Sequence, residues 1–348
     1  GTLSIADGAV LAGTITNAGT LKNSADLSES ASTLNNSGTL ENTGKLSLGG
    51  TFNNTNGTLE NKAKGEITFD ASLNGALAGT LANESGATII NNADLTFADG
   101  TVLENSGTFT NNKTVAYGNK KNLFNAATGV LENTSTGTLS IDKDVITLAG
   151  TIKNSGTIKN AGTITYDGTA LLNTDSGAIL ENAEGARLLF ATTAQITGTI
   201  KNAGTLANEK TFLLADGATL TSTGTLENNG TFTLSKDATA VSGTLTNNGV
   251  FIVNGDHTLP SDLTNTKEIQ LNDGTFALSK TQFDAMLKGY VNVSNSTVNL
   301  GSETIDLDLS KVKDTASANG ELGFANTTGG TLKAGTMKLT GTLNANAL

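Results

Sequence analysis

Along residues 150–165 the chain reads GTIKNSGTIKNAGTIT, with Gly-Thr-Ile beginning at Gly150, Gly156 and Gly162. In each copy an aliphatic residue stands between polar neighbours, so one side chain points inward and those beside it point outward. Thr and Ile are β-branched and favour a pleated strand. Asn and Gly follow; they accept positive φ most readily and bend the chain. Related units of the form Gly-Thr-[Leu/Ile/Phe]-x-Asn-small-Gly stand at residues 13–19, 38–44, 198–204, 224–230 and 243–249. Each unit predicts a very short strand and a corner. One inward side chain cannot make a core, but stacked copies can, and that is the logic of a β-solenoid.

The spacing of equivalent glycines sets the coil. Gly38 to Gly57 is 19 residues, Gly79 to Gly100 is 21, Gly137 to Gly156 and Gly224 to Gly243 are 19, and Gly198 to Gly224 is a longer step of 26. A period of roughly 20 predicts an all-β fold, a right-handed parallel β-helix with three short strands per coil. The irregular step favours that hand over the strict six-residue rhythm of left-handed solenoids. Residues 1–253 carry the regular repeat; residues 254–348 read as a less regular, decorated continuation of the same solenoid. Polar inserts at residues 24–36, 111–122 and 254–267 read as loops or irregular coils. Residues 280–288 (KTQFDAMLK) place Phe283, Met286 and Leu287 at helical spacing and predict one short helix. The corner asparagines Asn17, Asn23, Asn42, Asn61, Asn105, Asn154, Asn160, Asn202, Asn228 and Asn247 allow two structural readings. They are turn residues only, or they stack coil on coil as an amide ladder.

Composition narrows the partners. The 348 residues carry net charge −11, only 15 % charged residues and a single arginine, Arg187, which argues against nucleic acid and acidic membrane surfaces. Hydrophobic residues at 36 %, together with 41 glycines, are ordinary for a folded chain, so the low complexity does not signal disorder. No cysteine is present, which excludes disulfides and thiolate metal sites, and the one proline, Pro260, suits a chain spent mostly in ladders. No apolar run approaches the ~20 residues of a spanning helix. Residues 1–14 are already repeat-like, unlike a signal peptide, so the chain reads as a middle piece.

Candidate chemistry is thin. Asp142 with Asp144 and Asp306 with Asp308 are i, i+2 pairs that would share one side of a strand, a pattern more typical of a solvated face than of a glycosidase. His257 is the only histidine; it sits in NGDHTLP, a loop context, and no nucleophile elbow accompanies it. The sequence therefore predicts no enzyme, no catalytic residue, no metal and no cofactor. Thr-Ile-Thr at residues 14–16 and 163–165 hints at the threonine rows of ice-binding solenoids, but TIK and TLE units interrupt them. Tyr117 with Lys120 and Lys121 forms the one locally basic, aromatic loop and is the first candidate for partner binding.

The repeated GT[LI]xN[AS]GT units, the irregular coil near 20 residues and the richness in Asn, Thr, Gly and Ser resemble the passenger domains of bacterial autotransporter adhesins. More loosely they resemble filamentous haemagglutinin-like exoproteins. The resemblance covers nearly the whole chain and is strongest over residues 1–253. It implies an exported, non-enzymatic cell-surface protein, with the signal peptide and membrane barrel of a full-length member outside this stretch. It also implies three roles: homotypic self-association between cells leading to aggregation and biofilm, binding of a host glycan or matrix protein, or service as a spacer. Sugar stacking usually takes aromatics, and the chain has no Trp and only Tyr117, Tyr166 and Tyr290. Self-association ranks first.

Overall fold

The computed structural model describes residues 1–5, 12–29, 32–74, 76–98, 101–117, 122–125, 128–141, 145–167, 171–239, 243–308, 312–313, 322–328 and 331–340. Two compact units divide the chain, Gly1–Thr192 and Thr193–Leu348. Each is a stack of parallel strands. Through the first unit a strand mostly pairs with the third strand along, so three strands make a coil; from Thr225–Asn228 onward in the second unit the step shortens to two. The fold is a β-solenoid with about 20 residues per coil.

In the first unit the strands fall on three sides. Side one runs through Thr20–Asn23, Thr39–Asn42, Thr58–Asn61, Thr80–Asn83 and Val102–Asn105. Side two runs through Asp26–Glu29, Lys45–Leu48, Glu66–Phe69, Thr88–Asn91 and Thr108–Asn111. Side three begins with Thr14–Asn17, Thr33–Asn36 and Thr51–Asn53 and resumes with Leu95–Phe97, Thr114–Tyr117 and Thr138–Ile141. Register is kept by the repeat itself. The second strand position holds an inward aliphatic residue in coil after coil, as in Leu21, Leu40, Leu59, Leu81 and Leu103, none more than 3 % exposed. A slip by one residue would turn that whole column outward.

The fourth strand position also faces in, and here the asparagines settle between the two readings. On side one Asn23 donates to Asn42 at 2.8 Å, Asn42 to Asn61 at 2.9 Å, Asn61 to Asn83 at 2.9 Å, Asn83 to Asn105 at 2.7 Å and Asn105 to Asn125 at 2.6 Å. A second column links Asn91, Asn111, Asn133 and Asn154 on side two. A third joins Asn17, Asn36 and Asn54, and Asn160 donates to Asn182. In the second unit Asn208, Asn228, Asn247 and Asn265 form another column, and Asn202 donates to Ser222. Every asparagine singled out above belongs to such a column. The second amide hydrogen usually reaches a backbone carbonyl at the start of the following side, as Asn61 does to Thr88 O at 2.9 Å. Each side chain therefore ties one coil to the next and one side to its neighbour. The partners are 18 to 22 residues apart.

Where the side-one column stops, an apolar residue takes the fourth position, whereas the side-two column passes from Asn154 to Thr174. On side one the register passes from Asn125 to Leu148, Tyr166 and Phe190. Tyr166 stacks on Phe190 at 5.3 Å between ring centroids. Among the described residues the Tyr166 hydroxyl is the one buried side-chain polar atom without a hydrogen-bond partner, and burial pushes its pKa up. A buried orphan hydroxyl costs about 1–3 kcal/mol of desolvation. Tyr166→Phe should therefore raise stability by about 1 kcal/mol and the melting temperature of the first unit by about 2–4 °C, measured by circular dichroism.

The expected helix is present at Lys280–Leu287, with Phe283, Met286 and Leu287 buried. Ser279 caps it, and Gln282 completes the capping box and donates to the carbonyls of Leu259 and Pro260. It follows the last asparagine of its column, and Asn265 donates to Met286 O at 2.7 Å. The polar inserts are a correction. Residues 24–36 contain two strands, Asp26–Glu29 and Thr33–Asn36, and residues 254–267 contain Asp262–Asn265. Within residues 111–122, Thr114–Tyr117 is a strand. Each has one inward aliphatic, Leu27, Leu34, Leu263 or Val115, between polar residues that simply face water.

Candidate interaction surface

With the second and fourth strand positions turned inward, the first and third build the exterior. The three sides of the first unit differ in what they show there. On side one the third position reads Lys22, Glu41, Glu60, Ala82 and Glu104 along the ladder. Lys22 pairs with Glu41 at 3.2 Å; the corner lysine Lys62 lies 2.6 Å from Glu60 and 2.9 Å from Glu84. Donating to these two carboxylates raises the Lys62 pKa, and accepting from Lys62 holds the Glu84 carboxyl below its ordinary range. Because the folded pKa of Glu84 is depressed, its contribution is present above the unfolded glutamate value and is lost as pH falls through the folded value. Lys62→Gln should accordingly flatten part of the acid-side slope in a series of melts below pH 5.

Side two alternates in sign at its first position, Asp26, Lys45 and Glu66, with Ser28, Ser47 and Thr68 at the third. These residues line an open trough of about 260 Å³. Side three is different. Its third-position row is Thr16, Asn35 and Asn53, then Thr96, Ala116 and Ser140; its first-position residues include Thr14, Thr33, Thr51, Thr114 and Thr138. None of these titrates. A trough of about 280 Å³ runs along Thr16, Asn35, Asn53 and Thr55, and Asn53 donates to Asn35 at 2.7 Å on its floor.

Of the residues singled out by sequence, Tyr117 closes the strand Thr114–Tyr117, in register with Phe97 and Ile141. Lys120 and Lys121 lie outside the described residues, as do Asp142 and Asp144. Asp306 is exposed on Thr304–Asp308, in register with Lys338. Arg187 opens the strand Arg187–Phe190, and its carbonyl accepts from Asn160 at 2.9 Å. His257 lies in the loop after the strand Val250–Asn254, as expected, and is buried there. Its Nε2 lies 2.9 Å from Ser235 O and 3.0 Å from Asn254 O, so that nitrogen carries the proton and pegs one corner to the coil before it. Tyr166 and Tyr290 are buried as well. Among the described residues no group of three or more His, Cys, Asp or Glu side chains is placed to hold a metal ion, and no helix is long and apolar enough to cross a membrane.

No protein-family model matches the chain, and no curated protein matches it. Among solved structures it is similar to the crystal structure of a TibC-catalyzed hyper-glycosylated TibA fragment. The match spans 100 % of this chain and 98 % of that one, at 14 % identity and a TM-score of 0.24. A score of that size does not establish a common fold. The β-solenoid assignment stands on the strand ladders themselves.

Proposed function

We propose that this chain is the β-helical passenger domain of a bacterial surface adhesin, exported and non-enzymatic, and that its partner is a further copy of itself on a neighbouring cell. The observation that carries the reading is the exterior of the coils on side three of the first unit: rows of Thr, Ser and Asn at the fixed spacing of stacked strands, from Thr14–Asn17 to Thr138–Ile141. Such an array makes many weak hydrogen bonds over a long contact, and those become adhesive when many copies engage together. The burial of Tyr166 and Tyr290 withdraws two of the three tyrosines from sugar stacking, which favours a protein partner over a host glycan.

Display of the full chain on a bacterial strain that does not aggregate tests this. Displaying cells should settle, and clumps grown from a mixture of two labels should exclude cells without the chain. Binding to a glycan or matrix-protein array without settling would replace self-association by the receptor role. Neither behaviour would leave the spacer role, and turnover of an oligosaccharide would overturn the non-enzymatic reading.

A further inference from the structure

Two copies of a chain with net charge −11 repel each other, so a homotypic contact needs a face that adds no further like charge. At physiological ionic strength the Debye length is about 8 Å, so charges lying in the contact count for more than those elsewhere on the molecule. Side one of the first unit presents Glu41, Glu60 and Glu104 in one row. Lys22 and Lys62 offset part of that charge, but with Glu84 the side still carries four carboxylates against two ammonium groups, and a copy laid on itself brings that excess together. Side two mixes Asp26, Lys45 and Glu66, and a twofold contact there demands one fixed register.

We infer that side three of the first unit, from the strand Thr14–Asn17 to the strand Thr138–Ile141, is the face on which two copies of this chain meet. The inference rests on the self-association reading above. An amide and a hydroxyl each donate and accept, so a face made of them complements its own copy about a twofold axis. The bond from Asn53 to Asn35 uses one amide hydrogen and one carbonyl oxygen, leaving the Asn35 amide group and the Asn53 oxygen to offer a donor and an acceptor to the partner. The bridge between Thr51 and Asn74 links the two strand ladders of this side. Asp94, opposite Thr114 in the first-position row, and the corner residue Lys113 give the face one charge of each sign, and Asp94 accepts from the backbone N–H of Thr114.

The size of the face decides how it acts. Strands ~4.8 Å apart over this stretch give roughly 30 Å by 14 Å, about 400 Å² per copy, short of a standard stable interface. The contact is therefore weak between single molecules and effective between surfaces that carry many.

The chain has no cysteine, so introduced thiols report contact cleanly. Asn35→Cys, Asn53→Cys, Thr96→Cys and Ser140→Cys, singly and in mixed pairs, would be oxidised in the intact chain at matched concentration beside Glu41→Cys and Ser47→Cys on the other sides. At least one single or mixed pair from side three should form disulfide-linked dimer about tenfold faster than either control. Displayed Asn35→Asp/Thr96→Asp should slow settling several-fold with an unchanged melting curve, since both side chains are at the surface. If no side-three pair outruns the controls, or if the double aspartate variant settles like the unmodified chain, the face is wrong. Unmodified cells that fail to settle at all would instead sink self-association itself, so the two failures are told apart.

Discussion

Replacing Asn83 by alanine is expected to destabilise the first unit by about 3–5 kcal/mol, read as a drop in the urea midpoint. Asn83 is 1 % exposed and stands inside the side-one column. It accepts from Asn61 at 2.9 Å and donates to Asn105 at 2.7 Å and to Thr108 O at 3.0 Å. Alanine removes three bonds and strands their partners where water does not reach, and each buried group so orphaned costs about 1–3 kcal/mol. Position in the column should set the size of the effect. Asn125 accepts from Asn105 and donates to the carbonyls of Gly129 and Ala149, but Leu148 follows it in the register. Asn125→Leu therefore loses those bonds while adding apolar contact at the stop, and should cost less than Asn83→Ala. Asn83→Asp adds a test of sign. A buried carboxylate facing the Asn105 oxygen and the Thr108 carbonyl is disfavoured when charged, so its folded pKa rises. The variant should therefore lose stability as pH climbs through the ordinary aspartate range and recover it toward pH 3. Equal losses at Asn83 and Asn125, or no loss at either, would mean the amides do not act as a column.

That column was half legible in the sequence. The Asn of each unit could be picked out because Gly-Thr-x-x-Asn repeats, but whether it stacks depends on which coil lies above it. Coil length varies with every corner, and only the register shows that Asn61 meets Asn83 across 22 residues while Asn23 meets Asn42 across 19. The helix at Lys280–Leu287 was legible because three apolar residues fall on one face. Asp26–Glu29, Thr33–Asn36 and Asp262–Asn265 were missed because a four-residue strand with one inward Leu looks like a polar loop when its outer residues are Asp, Ser or Asn. The exterior was the least legible part. Packing constrains the second and fourth strand positions and the repeat sets Thr at most first positions, but the third is left free, so no periodicity marks it. That Thr16, Asn35 and Asn53 share a side emerges only once the coils are threaded. The Tyr117 loop stood out by residue type, which carries no information on how the sides are charged.

Gly38→Ala should cost about 3 kcal/mol or more and lower the yield of folded protein, for a reason the repeat hides. Gly38 has no unusual backbone angle. Its corner lies directly over the corner of Gly19, so a Cβ would strike the Gly19 carbonyl oxygen, backbone against backbone. That carbonyl accepts from Thr39 N at 2.8 Å, and the Gly38 carbonyl accepts from Thr58 N at 2.8 Å. The methyl group cannot be accommodated by a rotamer change; two coils must separate and strain these bonds, the costly form of overpacking. Gly156 over Gly137 and Gly249 over Gly230 repeat the arrangement. Gly86 supplies the control. It has φ of +80°, but no atom lies within 4 Å of the position a Cβ would take, so alanine there meets only backbone strain of about 1–2 kcal/mol. Thermal melts of the two variants should therefore rank Gly38→Ala well below Gly86→Ala. The reverse order would show that the glycines serve turn conformation and that the coils do not touch at their corners.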